Sequence, residues 1–262
     1  MDKTSSFNEM RSHIYTVDQI RHENDMTSSL IMREPMQSEP GQFLLLWLPG
    51  IGEKPFSIAG NDPLIVTIAD VGKMTHMIHE FKPGDRVWIR GPLGQGYKPY
   101  GKDALLVGGG YGASPLLLLA EKLIENGLNV QVFLGARTKD LLILTDQFRE
   151  LPLTLHITTN DGSEGIEGFV TNPLEKSIQQ LEDPQQACVY ACGPIMCRVS
   201  FPGRRLCAAE WGCAVPAGLN CQKPGKNLRI YREAGEPGWF AEMDRHPLQY
   251  DNDVIWSNFF LK

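Results

Sequence analysis

The amino-acid sequence predicts two successive folds, a small antiparallel β-barrel followed by a parallel α/β sheet. Three observations carry that expectation. Up to about residue 98, short alternating or apolar runs are punctuated by turn residues. From Asp103 onward, strand-like and helix-like runs alternate, and residues 92–103 between the two regions are rich in Gly, Pro and Tyr, as a linker would be. Closely spaced short strands with turn signals mark a barrel or sandwich, whereas strand–helix alternation marks a parallel sheet. No internal repeat is visible.

Taken in order, the expected barrel strands cover 12–17, 28–32, 42–47, 64–69 and 86–90. They are separated by Pro40-Gly41, Pro49-Gly50, Gly60-Asn61-Asp62-Pro63 and Pro83-Gly84-Asp85, residues whose backbone preferences favour turns. Beyond the linker the pattern predicts a strand at 104–107, a helix at 114–126, a strand at 130–134, a helix at 140–151, and strands at 153–158 and 187–191. The apolar run Leu105-Leu106-Val107 leads directly into Gly108-Gly109-Gly110-Tyr111-Gly112, and a helix opens at Ala113. Glycines let a backbone turn sharply and approach a phosphate, and a helix N-terminus behind them presents free N–H groups. The spacing departs from G-x-G-x-x-G. The cluster therefore reads either as a dinucleotide pyrophosphate site or as a plain strand-to-helix turn.

Composition narrows the function classes. A chain of 262 residues, 42% hydrophobic and 21% charged, suits one large or two ordinary globular domains. A net charge of −6 and the lack of any basic run argue against nucleic acid as a partner. The longest apolar stretches, 43–48 and 116–120, are too short to span a bilayer, so no membrane association is expected. Residues 1–9 are polar and charged, which predicts no secretory signal and a cytoplasmic protein. The cysteines stand at 188, 192, 197, 207, 213 and 221, all late in the chain. In that setting they read as reduced thiols or cofactor ligands rather than disulfides.

A second motif precedes the glycines: Glu53-Lys54-Pro55-Phe56-Ser57-Ile58-Ala59. A cation, a rigid proline, an aromatic and a hydroxyl in succession can hold an isoalloxazine ring and its phosphate, or can simply be a loop entering a strand. Thr67-Ile68-Ala69-Asp70-Val71-Gly72-Lys73-Met74-Thr75, Gly91-Pro92-Leu93-Gly94-Gln95-Gly96, Asp161-Gly162-Ser163 and Tyr190-Ala191-Cys192-Gly193-Pro194 follow.

In this order, and with Pro40-Gly41-Gln42-Phe43 ahead of them, the motifs resemble the ferredoxin–NADP reductase superfamily. They resemble most closely its branch of type B dihydroorotate dehydrogenase electron-transfer subunits, over roughly residues 12–196. The resemblance implies an antiparallel FAD-binding β-barrel at 1–98, a parallel-sheet NAD-binding α/β domain at 99–196, and at 197–262 the disrupted remnant of an iron–sulfur module. It implies that Lys54, Pro55, Phe56 and Ser57 contact the flavin. Thr67, Ile68, Ala69, Gly72, Met74 and Thr75 would hold the ribityl chain and pyrophosphate. Gly108, Gly109, Gly110 and Gly112 would face the nicotinamide nucleotide, with Gly135, Ala136, Arg137, Cys192, Gly193 and Pro194 lining the far side. Ser57 and Cys192 would be the catalytic residues, although Cys192 reads equally as a buried small residue at a strand end. Many relatives carry Arg where Lys54 stands; lysine keeps the charge but loses the bidentate fork.

The function implied is hydride exchange between nicotinamide C4 and flavin N5. Single electrons would then pass through a 2Fe–2S cluster to an FMN-containing dihydroorotate dehydrogenase catalytic subunit, in pyrimidine biosynthesis. The partners would be that subunit, in a hetero-oligomer, and NAD(H). Alternatives are the NAD-side subunit of a sulfhydrogenase or of a ferredoxin-dependent transhydrogenase, or a non-catalytic remnant that keeps the fold.

The resemblance breaks at the C-terminus. The family ends in a Cys-x4-Cys-x2-Cys loop and a fourth Cys before Arg-Asp-Gly-Pro, whereas here Cys207, Cys213 and Cys221 are separated by six and eight positions. Such spacing does not make a cluster loop, and no metal site is expected in the chain as written. A shifted reading frame explains the loss. Read from the third base of each codon, Leu206 to Ala217 permit Met-(Cys/Arg)-Cys-Gly-(Met/Val)-Gly-(Leu/Met/Val)-Cys-Gly-Ser-Cys. In the same frame, Gly238 to Arg245 permit Met-Val-Cys-Arg-Asp-Gly-Pro. The connection after Cys192 is also shorter than in relatives. A deletion just after Met196, of a length not divisible by three, accounts for both defects.

Overall fold

The structure is a computed structural model that describes residues 11–193 together with the backbone of 200–201, 204–205 and 213–216. Its first part is a seven-stranded antiparallel sheet in the order β4-β3-β7-β1-β2-β6-β5. The strands are β1 (His13–Asn24), β2 (Thr27–Met32), β3 (Phe43–Leu48), β4 (Gly52–Ser57), β5 (Gly60–Asn61), β6 (Leu64–Ala69) and β7 (Arg86–Leu93); helix α1 (Lys73–His79) lies between β6 and β7. Side chains on a strand alternate between its faces, and β6 obeys this strictly. Leu64, Val66 and Ile68 are buried, while Ile65, Thr67 and Ala69 face outward. Leu44, Leu46 and Leu48 of β3 enter the same core. The sheet curls until β4 meets β6, and the Ala59 N–H donates to the Ile65 carbonyl at 2.9 Å. Residues from distant strands of the order are thereby brought together, and closure covers edges that would otherwise stay unpaired.

The second part contains β8 (Asp103–Gly109), α2 (Ala113–Glu125), β9 (Asn129–Ala136), α3 (Thr145–Glu150), β10 (Thr154–Thr159), β11 (Ile166–Glu167), α4 (Thr171–Gln179) and β12 (Ala187–Cys192). Short strands β13 (Ser200–Phe201) and β14 (Arg204–Arg205) pair with each other, and β15 (Cys213–Pro216) joins the main sheet. The order is β11-β10-β9-β8-β12-β15, parallel except for β15, which pairs antiparallel to β12. Both faces are covered, so the central strands are apolar throughout. Leu106, Leu134 and Tyr190 pack with Leu116 of α2 on one face, and Leu105, Val107 and Phe133 pack with Leu174 of α4 on the other.

The two parts are joined through packing and the linker. Leu118 of α2 belongs to the barrel core. Thr27, Ser28, Ser29 and Leu30 in β2 are all buried, so neither face of that strand is open to solvent. In the linker, the Tyr97 N–H donates to the Pro40 carbonyl at 2.7 Å, and the Tyr97 ring meets Tyr190 edge-on at 5.8 Å.

Three local expectations are corrected. Residues 53–59, outside every expected strand, are mostly strand, with β4 paired along β3. A helix, α1, stands between the expected strands 64–69 and 86–90, where no element was expected. The single helix predicted over 140–151 is instead a 3-10 turn (Lys139–Leu141), an extended Leu142, and α3 from Thr145. Leu142, Ile143 and Leu144 are all buried, and three consecutive residues cannot all lie on the core stripe of one regular helix. Leu144 breaks the run with φ 60 and ψ 14, a left-handed geometry that costs a non-glycine residue about 1–2 kcal/mol. The expected C-terminal remnant, 197–262, lies outside the described residues except for the backbone of β13, β14 and β15.

Candidate functional site

The register of the parallel strands gathers the glycine motifs at one end of the sheet. Cys192 lies opposite Gly108, and Gly108 opposite Leu134. One step further, Gly109 faces Gly135, and Ala136 faces Thr159. These are the carboxyl ends of the strands, where open α/β sheets bind ligands. Of the residues expected there, Gly108, Gly109, Gly110, Gly112, Ala136, Cys192 and Gly193 converge, Arg137 is exposed just past β9, and Pro194 lies outside the described residues.

The glycines have different reasons to be glycine. A Cβ on Gly112 would overlap the Cys192 carbonyl, and one on Gly193 would come within 2.9 Å of the Gly109 nitrogen. One on Gly135 would come within 2.8 Å of the Val170 Cβ. These three permit close packing. Gly110 alone in the cluster combines a left-handed φ of +51 with open space, since a Cβ there would meet nothing within 4 Å. A shallow, narrow groove beside it, too tight as it stands to admit a water molecule, is lined by Gly108, Gly110, Ala113, Leu134, Gly135 and the loop residues Leu141, Leu142 and Ile143. That loop was not foreseen, because three apolar residues inside a helix-like run carry no sign of a groove. Cys192 is 7% exposed and packs in the same core as Leu134 and Tyr190, so its thiol is largely withdrawn from the groove. The turn after β10 adds polar structure. The Asp161 carboxylate accepts from the Ser163 N–H at 3.0 Å and from its Oγ at 2.6 Å, bonds that hold the carboxyl below the usual range. The Ser163 Oγ accepts from the Lys139 N–H at 2.8 Å.

The barrel-side residues sort by strand face. Directly opposed residues in an antiparallel pair share a face. Ser57, Pro55 and Glu53 are opposite Phe43, Leu45 and Trp47, while Phe56 and Lys54 are opposite the core residues Leu44 and Leu46. Phe56, at 5% exposure, belongs to the barrel core, as do Ile68 and Met74. Those three can touch a cofactor only through backbone atoms. Lys54 is half-buried, and burial pulls its ammonium below the usual lysine range. Thr75 is buried, and its hydroxyl accepts from the N–H groups of Val71 and Gly72 at 3.0 and 2.9 Å while donating to the Gly72 carbonyl. It holds the turn and occupies both polar atoms of the Gly72 backbone, leaving the first N–H groups of α1 as the available polar atoms. Ser57, Thr67 and Ala69 are half-exposed on outward-facing positions.

One polar connection joins barrel and sheet directly. Glu23, its side chain 6% exposed, accepts at Oε1 from Arg21 Nε at 2.8 Å and from Ser29 Oγ at 2.7 Å. Its Oε2 accepts from the Leu144 N–H at 3.2 Å. A hydrogen bond to a charged acceptor contributes about 1.5–3 kcal/mol, enough to offset the left-handed cost at Leu144. Sequence reasoning missed it because the partners are 121 positions apart.

Known proteins resemble this chain in sequence and in fold. Residues 106–200 match the family described as the oxidoreductase NAD-binding domain. A Methanocaldococcus jannaschii protein named probable dihydroorotate dehydrogenase B (NAD(+)), electron transfer subunit, is 36% identical over 181 residues, spanning 69% of this chain and 68% of that one. A Thermococcus kodakarensis protein of the same name is 39% identical over 181 residues, spanning 69% and 74%. Among solved structures, the NADH-dependent reduced ferredoxin–NADP oxidoreductase described for flavin-based electron bifurcation superposes with a TM-score of 0.61. It is 26% identical and covers 75% of this chain and 81% of its own. The ferredoxin reductase of carbazole 1,9a-dioxygenase, at 22% identity and a TM-score of 0.59 over 70% of this chain and 61% of its own, shares the fold. The chain belongs to the dihydroorotate dehydrogenase B electron transfer subunit family and is an NAD-linked flavin oxidoreductase subunit.

Proposed function

We propose that this chain binds FAD along the β4–β6 side of its barrel and NAD(H) at the glycine end of its parallel sheet, passing electrons toward an FMN-bearing dihydroorotate dehydrogenase catalytic subunit. The domains proposed are 1–98 for the flavin and 99–196 for the nucleotide. The observation that carries the reading is Gly110, whose left-handed backbone opens onto free space beside a groove at the carboxyl ends of parallel strands. Both groups fit the residues present. The Lys54 cation beside the outward Ser57 hydroxyl at the end of β4 suits an anionic cofactor, and a nucleotide backbone suits the open position at Gly110.

When bound, the nicotinamide and flavin supply hydride exchange, and the flavin supplies single-electron exchange with the partner. The chain's own work is positioning. Lys54 offers a cation to the phosphates, and the outward Ser57 offers a hydroxyl at the end of β4. Thr67 and Ala69 face the same side, and the N–H groups at the start of α1 remain for the pyrophosphate. On the sheet, Gly110 admits the nucleotide, while Gly112 and Gly193 let β8 and β12 approach closely behind it. Cys192, also proposed beside the nicotinamide, contributes backbone there. A 2Fe–2S cluster belongs to the intact relatives and is not proposed for this chain. Among the described residues no helix is long and apolar enough to cross a membrane; a cytoplasmic location is part of the proposal.

The purified chain is expected to be yellow and to release FAD, not FMN, on denaturation, and NADH is expected to bleach it. A correctly folded, colourless protein that takes up no added FAD overturns the flavin assignment. A yellow protein that NADH leaves oxidised overturns the nucleotide assignment.

A further inference from the structure

We infer that Glu23 is a positioning residue for the nucleotide groove, a carboxylate on the barrel that sets the shape of a loop on the neighbouring sheet domain. The inference rests on reading that groove as the NAD(H) site. Loop 139–144 supplies one wall of the groove through Leu141, Leu142 and Ile143, and polar clamps hold it at both ends. The Lys139 N–H donates to Ser163 Oγ at 2.8 Å within the same domain. The Leu144 N–H donates to Glu23 Oε2 at 3.2 Å, across to the barrel.

The second clamp has the stronger geometric signature. Leu144, at 2% exposure, is the one non-glycine residue with positive φ among the described residues, and such a conformation persists only where the surroundings over-determine it. Apolar packing of Leu142, Ile143 and Leu144 sets how deep the loop sits. It does not orient the peptide N–H of Leu144, and the carboxylate does. Glu23 is itself fixed, because its other oxygen is held by Arg21 and Ser29, and burial removes water as a competitor. Ser29 Oγ also lies 2.8 Å from Thr67 Oγ1. A continuous hydrogen-bonded chain, Leu144–Glu23–Ser29–Thr67, therefore runs from the groove wall to the strand proposed for the flavin side.

The test uses stopped-flow reduction of the flavin-loaded full chain by NADH. Glu23→Ala is expected to raise the NADH Kd, read from the concentration dependence, about tenfold, with the limiting rate held within about twofold. Glu23→Gln, which keeps the length of the side chain but offers one acceptor oxygen where the carboxylate uses two, is expected to fall between wild type and Glu23→Ala. Hydrogen exchange supplies a readout independent of turnover. The Leu144 amide is protected in the wild type, and Glu23→Ala accelerates exchange across 139–144 while the amides of β1 and β2 keep their protection. An unchanged Kd in Glu23→Ala overturns the inference, as does acceleration spread evenly over β1 and β2, which marks a merely structural role. Should Glu23→Ala fail to fold, fast exchange at Leu144 in the wild type overturns it instead. Absence of any NADH reduction in the wild type overturns the nucleotide reading, and the exchange result then judges the clamp alone.

Discussion

Gly110 and Gly112 stand two residues apart and answer to different demands. At Gly112 the constraint comes from the opposite strand, where the Cys192 carbonyl occupies the space a side chain would need. At Gly110 the constraint is a left-handed backbone facing open space. Replacing each by alanine should separate the roles. Gly112→Ala is expected to lose about 1–3 kcal/mol of stability, because backbone must move to admit the methyl. Gly110→Ala is expected to cost about 1–2 kcal/mol through its dihedral and, unlike Gly112→Ala in any sample that folds, to weaken NADH reduction of the flavin while FAD content is unchanged. Urea melts beside NADH titrations check both, and equal NADH kinetics in Gly110→Ala and wild type would reduce the whole cluster to a turn. The cluster was visible in the sequence; the division of labour was not, because Cys192, which decides it, lies far along the chain.

At the scale of elements, strands with strict alternation, such as β6, and the apolar β8 were legible because burial leaves a period in the sequence. Helix α4 was missed because Pro173, Leu174 and Ser177 are its buried residues, too few and too polar to make a periodic stripe. Helix α1 was missed for its length, and it is fixed by side chains instead. His79 Nε2 lies 3.0 Å from the Ile68 carbonyl, and His76 Nδ1 lies 2.8 Å from Asp70 Oδ2. The Asp70 partner raises the His76 pKa above the ordinary histidine value. A folded pKa above the unfolded one means that the pair stabilises α1 fully below the unfolded value and stops doing so as pH rises through the folded one. The pair is solvent-exposed, so the effect belongs to the helix rather than to global stability. NMR titration should find the His76 pKa lower in Asp70→Asn than in the wild type. An identical value in the two proteins would remove the ion pair from the account of how α1, and with it the Gly72 turn, is held.

For the whole molecule, the two-domain plan was readable because each domain has its own period and a linker divides them, whereas the connection between them was not. The linker's Tyr97 and the Glu23–Leu144 bond join residues that no local pattern relates. The C-terminal region poses the converse problem. Family resemblance calls for a 2Fe–2S cluster, and the written chain is expected to assemble none. Three of the four thiolates of such a cluster come from one short loop of fixed spacing, while Cys207, Cys213 and Cys221 lie six and eight positions apart with no later cysteine. Cys213 is further committed to β15, where it pairs with Ala191 in the ladder along β12. A loop wrapped around a cluster at Cys213 would have to give up that ladder. Cys188 and Cys192 are buried at the core of the parallel sheet, so recruiting either would dismantle the strand beside Gly108. The expected outcome is an absorbance spectrum of flavin alone and no reduced-state EPR signal from the 262-residue chain. A gene corrected to the alternative frame should add both the cluster signal and electron transfer to the catalytic partner. Nucleotide sequence across codons 190–250 tests the frame directly, and a cluster signal from the chain as written would overturn the frameshift and the reading of residues 197–262 built on it.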